Sequence, residues 1–170
     1  KGKVIVQSDI VSVTGMAKET NDFREKYHEE SLWTNSMFGG MPTYQISIRY
    51  PKNLIQYVRT AITFGMKNPA HIVYLYLLGF FILLLVLKVD PWLSIAGAIA
   101  FAFSAYFFII IDAGHISKSF AIGCMPPILA GVIIINRGKY LIGGTTMAFA
   151  LALELLSNHV QITYYFFLFL

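Results

Sequence analysis

Charge is what this sequence has least of. Only 13% of its 170 residues are Asp, Glu, Lys or Arg, whereas a soluble domain carries about a quarter. Most of that charge lies before residue 70, and long apolar runs follow it, so a polar segment precedes membrane-embedded sequence. Cysteine is nearly missing: Cys124 stands alone and excludes an internal disulfide. The phosphate-cradling G-x-x-x-x-G-K-[ST] does not occur, so ATP-driven transport gets no support. H-E-x-x-H and Cys/His ligand spacings are lacking, which argues against a dedicated zinc site. No G-x-S-x-G offers a serine nucleophile. The net charge of +4 is scattered among acids, as in "KETNDFREKYHEE". That is a mixed solvated surface, not the basic stripe of a nucleic-acid binder, and no nucleic-acid partner is expected. Lys1 is preceded by no methionine or signal sequence, and "YYFFLFL" closes the chain within an apolar run. The chain reads as a fragment of a larger polytopic protein, with helices missing on both sides.

What is present in abundance is apolar sequence. A hydrocarbon core of about 30 Å needs roughly 20 apolar residues in a helix. Stretches 71–87, 92–111, 120–136 and 140–156 meet or approach that length, and a further one occupies 162–170. Backbone groups in lipid must be satisfied within the segment, so these are read as helices. The expected fold is an all-α polytopic membrane protein, with residues 71–170 forming a transmembrane helix bundle. The links "KVDP", "DAGHISKS", "RGK" and "SNHVQ" are short, which makes neighbouring helices antiparallel. Lys88, Arg137 and Lys139 fall on one side and only Lys118 on the other, so the positive-inside rule makes the first side cytoplasmic. Residues 1–70 then form an extracytoplasmic loop. Their own Lys and Arg do not oppose this, because segments over about 60 residues translocate largely regardless of charge.

Within residues 1–70, Ile10, Val13, Met16/Ala17, Thr20, Phe23 and Tyr27 recur at helical spacing. Ser8 or Asp9 stands where an N-cap belongs. "WTNSMFGGMPTYQ" is a loop punctuated by Gly39, Gly40 and Pro42. The glycine pair serves either as a turn or as a place where backbone approaches a ligand. The stretch 51–67 reads as an amphipathic interfacial helix, apolar at Leu54, Ile55, Val58, Ile62 and Met66. Its polar face carries Lys52, Gln56 and Arg59.

The apolar sequence is interrupted by "IIIDAGHISKSF", which gathers Asp112, His115 and Lys118 on the outer side. These are either solvated loop residues, with Asp112 paired to Lys118, or parts of a site. At the next outer link Glu154, Asn158 and Gln161 fall at i, i+4 and i+7, on one face of a helix, with His159 beside them. Glu154 lies about a turn inside the membrane, where a carboxylate costs about 2–3 kcal/mol and faces protein or a water-filled cavity. An outer cavity offering carboxylates, imidazoles and amides suits general-base chemistry on a hydroxyl, or binding of a polar headgroup.

Four motifs in order, "QSDI…GMAKE", "LWTNSMFGGMPTYQ", "IDAGHISKS" and "ELLSNHVQITYY", resemble the YfhO family of bacterial integral membrane proteins, in the form common among Bacteroidetes. The resemblance covers essentially the whole chain. The family is similar to the GT-C class of glycosyltransferases, which take a sugar from a polyprenyl-phosphate carrier on the outer face. The resemblance implies a multi-pass protein of the bacterial cytoplasmic (inner) membrane. Its reaction would move sugar from a polyprenyl-phosphate-linked donor to an envelope glycan or glycolipid acceptor. By position, Asp9 is the catalytic base. Gly39, Gly40, Asp112, His115, Lys118, Glu154, Asn158 and His159 contribute to the substrate site. Many GT-C enzymes pair two acids here, whereas Ser8 precedes the lone Asp9, which weakens the case for a divalent metal; no other cofactor is expected. The alternative is a transporter or flippase of lipid-linked polar molecules, with Glu154 as its coupling group. A structural subunit without chemistry is a third reading.

Overall fold

The computed structural model describes residues 7–47 and 52–170. The chain divides into two compact units, one formed by residues 1–53 with Asp112–Gly114 and the other by 54–111 with 115–170. This division falls at Asn53/Leu54 rather than at residue 70.

In the first unit, α1 (Ser8–Met16) and α2 (Lys18–Tyr27) replace the single helix expected from the 3.6-residue period. They part at Ala17, whose φ/ψ of −82°/0° makes a turn. Of the periodic positions only Ala17 and Thr20 are buried, while Ile10, Val13 and Tyr27 are exposed, so the period marks an inward face only near the break. Helix α2 stops where His28 adopts a left-handed φ of 56°, which L-residues enter only as isolated positions. The glycine-containing loop then closes as a short antiparallel ladder, with β1 (Trp33–Thr34) paired to β2 (Met41–Pro42). At two residues per strand, the ladder leaves the described chain mostly helical, in keeping with an all-α reading. Gly40 permits the ladder: at φ +122° a side-chain Cβ would stand 2.7 Å from the Trp33 indole nitrogen.

The second unit begins with α3 (Leu54–Ile62), shorter than the expected 51–67; position 51 lies outside the described residues. Ile55 and Ile62 of α3 pack on buried Leu75, Phe120, Cys124 and Leu153, while Leu54 stays 74% exposed. The apolar set is therefore split between protein and surroundings. Helices α4 (Ala70–Val86), α5 (Pro91–Ala102), α6 (Ala105–Asp112), α7 (Ile116–Asn136), α8 (Tyr140–Leu155) and α9 (Val160–Phe169) follow. The expected span 92–111 is broken by a 42° bend at Phe103–Ser104. Pro91 and Asp90 open α5, the Asp90 carboxylate accepting from the Trp92 and Leu93 backbone N–H groups at 2.9 and 3.3 Å.

Among the described residues α7, at 21 residues, is the one helix that by itself is long and apolar enough to cross a membrane. Helices α5 and α6 pass that test together as one bent span, and α4, α8 and α9 are apolar but shorter. Close backbone approach joins α7 to its neighbours at its glycines. Pro127 has no N–H for the Gly123 carbonyl four residues back, and Gly79 of α4 comes against that carbonyl: a Cβ there would lie 2.8 Å from it. At the crossing of α7 and α8, a Cβ on Gly143 would stand 2.6 Å from the Ile135 nitrogen and 2.7 Å from the Gly131 oxygen. Small residues at such crossings are how helices associate where lipid removes the hydrophobic drive.

Candidate functional site

The expected site residues divide between the two units. In the first, Asp9 is half-buried in the opening turn of α1, two residues beyond the N-cap position, which Gln7 occupies. No side chain caps this helix, so the expected cap at Ser8 or Asp9 is not formed. A carboxylate in a first turn is still favoured by the positive end of the helix dipole. The turn Asp112–Gly114 belongs to the same unit. Gly114, at φ +94°, packs against α1 so closely that a Cβ would stand 3.2 Å from both the Asp9 and Gln7 Cβ atoms. The structure thus brings "SDI" and "DAG" together, about a hundred residues apart in the chain.

The same unit has a polar clasp that sequence reading missed. The Glu19 carboxylate accepts from the Thr34 hydroxyl and from the Asn35 backbone N–H at 2.9 Å. The Ser36 hydroxyl donates to the Met16 carbonyl at 3.1 Å. These bonds tie the start of the glycine-containing loop to α1 and α2. Arg24 adds a fork onto Glu30, at 2.7 and 2.6 Å. The signal for Glu19 was its place in the charged run; its partners fifteen or more residues away were not visible.

Hydrogen bonding to Thr34 holds the Glu19 carboxyl below the ordinary carboxylate range, and the Asn35 N–H adds to the effect. A depressed folded pKa gives stability that is complete above the unfolded value and lost as pH falls through the folded one. Acidification should therefore release residues 33–36 before it affects the apolar helices. Hydrogen exchange at Asn35 across an acid series is the check, with Glu19→Gln expected to show the acid-like exchange already at neutral pH. Unchanged Asn35 protection in Glu19→Gln would mean that the ladder alone holds the loop.

The remaining expected residues lie in the second unit. His115 is exposed at the N-cap position of α7, and its carbonyl accepts from the Ser119 hydroxyl at 2.9 Å. Lys118 does not ion-pair with Asp112; its ammonium lies 5.6 Å from the centre of the Tyr106 ring. Glu154 is 2% exposed, and its two oxygens lie 2.7 and 2.8 Å from the Thr163 hydroxyl of α9. Glu154, Asn158 and Gln161 do not share a helix face. Helix α8 ends at Leu155, Asn158 takes a left-handed φ of 56°, and α9 begins at Val160. Asn is among the few residues that adopt this conformation readily, and it turns the chain where a continuous helix was expected. His159, preceding α9, is half-buried.

The second unit also holds a polar cavity of about 270 Å³ between α3, α4 and the start of α7. Arg59, His71 and Ser117 line it, together with Ser157 from beyond α8. None of these but Arg59 was singled out by the sequence, and Arg59 only as part of a solvated helix face. Among the described residues no three His, Cys, Asp or Glu side chains gather as metal ligands would. Comparison with known proteins finds no matching family model, no matching curated protein and no matching solved structure.

Proposed function

We propose that this chain is part of a multi-pass GT-C-like glycosyltransferase of the bacterial cytoplasmic membrane. It would transfer sugar from a polyprenyl-phosphate donor to an envelope glycan or glycolipid on the extracytoplasmic face. The observation that carries the reading is the packing of Asp9 against the Asp112–Gly114 turn. A first-turn carboxylate packed beside that turn supports a base for an acceptor hydroxyl. Asp9 is the base that deprotonates that hydroxyl. Gly39, at φ +74° with nothing within 4 Å of an added Cβ, leaves backbone open to a sugar, whereas the Trp33 ring covers Gly40.

In this reading α4, the bent pair α5/α6, α7, α8 and α9 all cross the bilayer. Single cysteines at Ser117 and Lys139, in a Cys124→Ser background, should react oppositely with an impermeant thiol reagent in intact cells: Ser117 labelled, Lys139 not. Equal labelling would overturn the topology. The chemistry is tested by the release of polyprenyl phosphate from a polyprenyl-phosphate hexose. The burial of Glu154 with its Thr163 partner favours a second reading, a transporter in which this carboxylate is the coupling group.

A further inference from the structure

The polar cavity of the second unit has a one-sided chemistry. Arg59, His71, Asn68, Ser117 and Ser157 line it, and among the described residues no Asp or Glu does. The Arg59 guanidinium carbon lies 5.8 Å from the centre of the Phe120 ring, and among the described residues no carboxylate forms an ion pair with it. A face-on aromatic ring holds the guanidinium in place and leaves its edge donors usable. The His71 Nδ1 is buried and makes no hydrogen bond of good geometry. Ser157 Oγ accepts from the His159 backbone N–H at 3.3 Å, a bond that does not use its own proton. Thr63, also on the wall, is committed, since its hydroxyl donates to the Arg59 carbonyl at 2.9 Å.

A cation, an imidazole, an amide and hydroxyl donors without an acid repel cations and suit a tetrahedral oxyanion approached from several sides. We propose that this cavity binds a phosphate group, held by Arg59 and His71 with Ser117 and Ser157 donating to its remaining oxygens. Ile62, the residue before Thr63, borders a second cavity of about 330 Å³, which is almost wholly apolar and lined by Leu75, Cys124, Pro127 and Phe149. A phosphate-bearing lipid can occupy both, its headgroup in the first and a chain in the second; free phosphate can occupy only the first. The inference concerns binding alone and holds whether or not sugar is transferred.

The test is native mass spectrometry of the purified full chain with dioleoyl phosphatidic acid, with dioleoylglycerol, which has the same chains and no phosphate, and with inorganic phosphate. Phosphatidic acid should be retained about tenfold over dioleoylglycerol, as expected for charge-assisted hydrogen bonds. Arg59→Gln should abolish that preference, Arg59→Lys should keep part of it, and Lys139→Gln, away from the cavity, should leave it unchanged. Displacement of the lipid by inorganic phosphate assigns the affinity to the headgroup cavity alone. Retention that resists phosphate but still needs Arg59 assigns it to both cavities together. If Arg59→Gln does not fold, the Ser117→Ala/Ser157→Ala pair replaces it, with a severalfold loss expected. Equal retention of the two lipids, or a preference unmoved by these substitutions, would overturn the proposal.

Discussion

Asp9→Asn should lower turnover about 10²–10⁴-fold while leaving the protein folded, because general-base assistance is worth that much. Asn keeps the size and most of the hydrogen bonding of Asp but cannot take up a proton at neutral pH. The structural cost is small by position. Asp9 is inside the first turn of α1 and not its cap, so the substitution forfeits a charge–dipole interaction of about 0.3–1 kcal/mol. Asp9→Glu is expected to be impaired too, since its carboxylate is carried one methylene further. A stable variant of wild-type activity would remove Asp9 as the base and direct attention to Asp112, in the adjoining turn of the same unit.

The other large effect is structural. Gly143→Ala should destabilise the apolar unit by about 1–3 kcal/mol, the usual cost of overpacking. The new methyl meets backbone atoms, the Ile135 nitrogen and the Gly131 oxygen, which cannot swing aside as a side chain would, so α7 and α8 have to separate. Gly144→Ala is the matched control, because nothing stands within 4 Å of its added Cβ. It should be neutral or stabilising by up to about 1 kcal/mol, from helix propensity alone. Detergent-titrated unfolding of the two variants is the measurement. Equal stabilities would mean that the helices are held by their side chains and not by this crossing.

Helix positions were legible because a long apolar run has few alternatives, as at 116–136 and, over a shorter length, 140–155. The bend at Phe103–Ser104 was not, since neither Pro nor Gly marks it and the hydropathy continues through it. The left-handed Asn158 was equally hidden: its spacing from Glu154 fits a helix, and only the turn into α9 shows otherwise. For α3 the period marked a helix, but amphipathicity alone does not say which apolar residues meet protein. Asp9 and Asp112 could be picked out as residues; that their stretches meet, through Gly114, needed the fold. The Arg59–His71 cavity draws on separate stretches, each with an innocent local reading, and no spacing rule joins them.

The central claim is tested most directly by giving the full-length protein, in sealed vesicles, a polyprenyl-phosphate hexose labelled in the sugar, with a glycolipid acceptor. Sugar transfer predicts label in the acceptor, with unlabelled polyprenyl phosphate released in equal amount, and loss of both in Asp9→Asn. Label that stays on its carrier and merely crosses to the other leaflet, with Asp9→Asn as active as wild type, would contradict it.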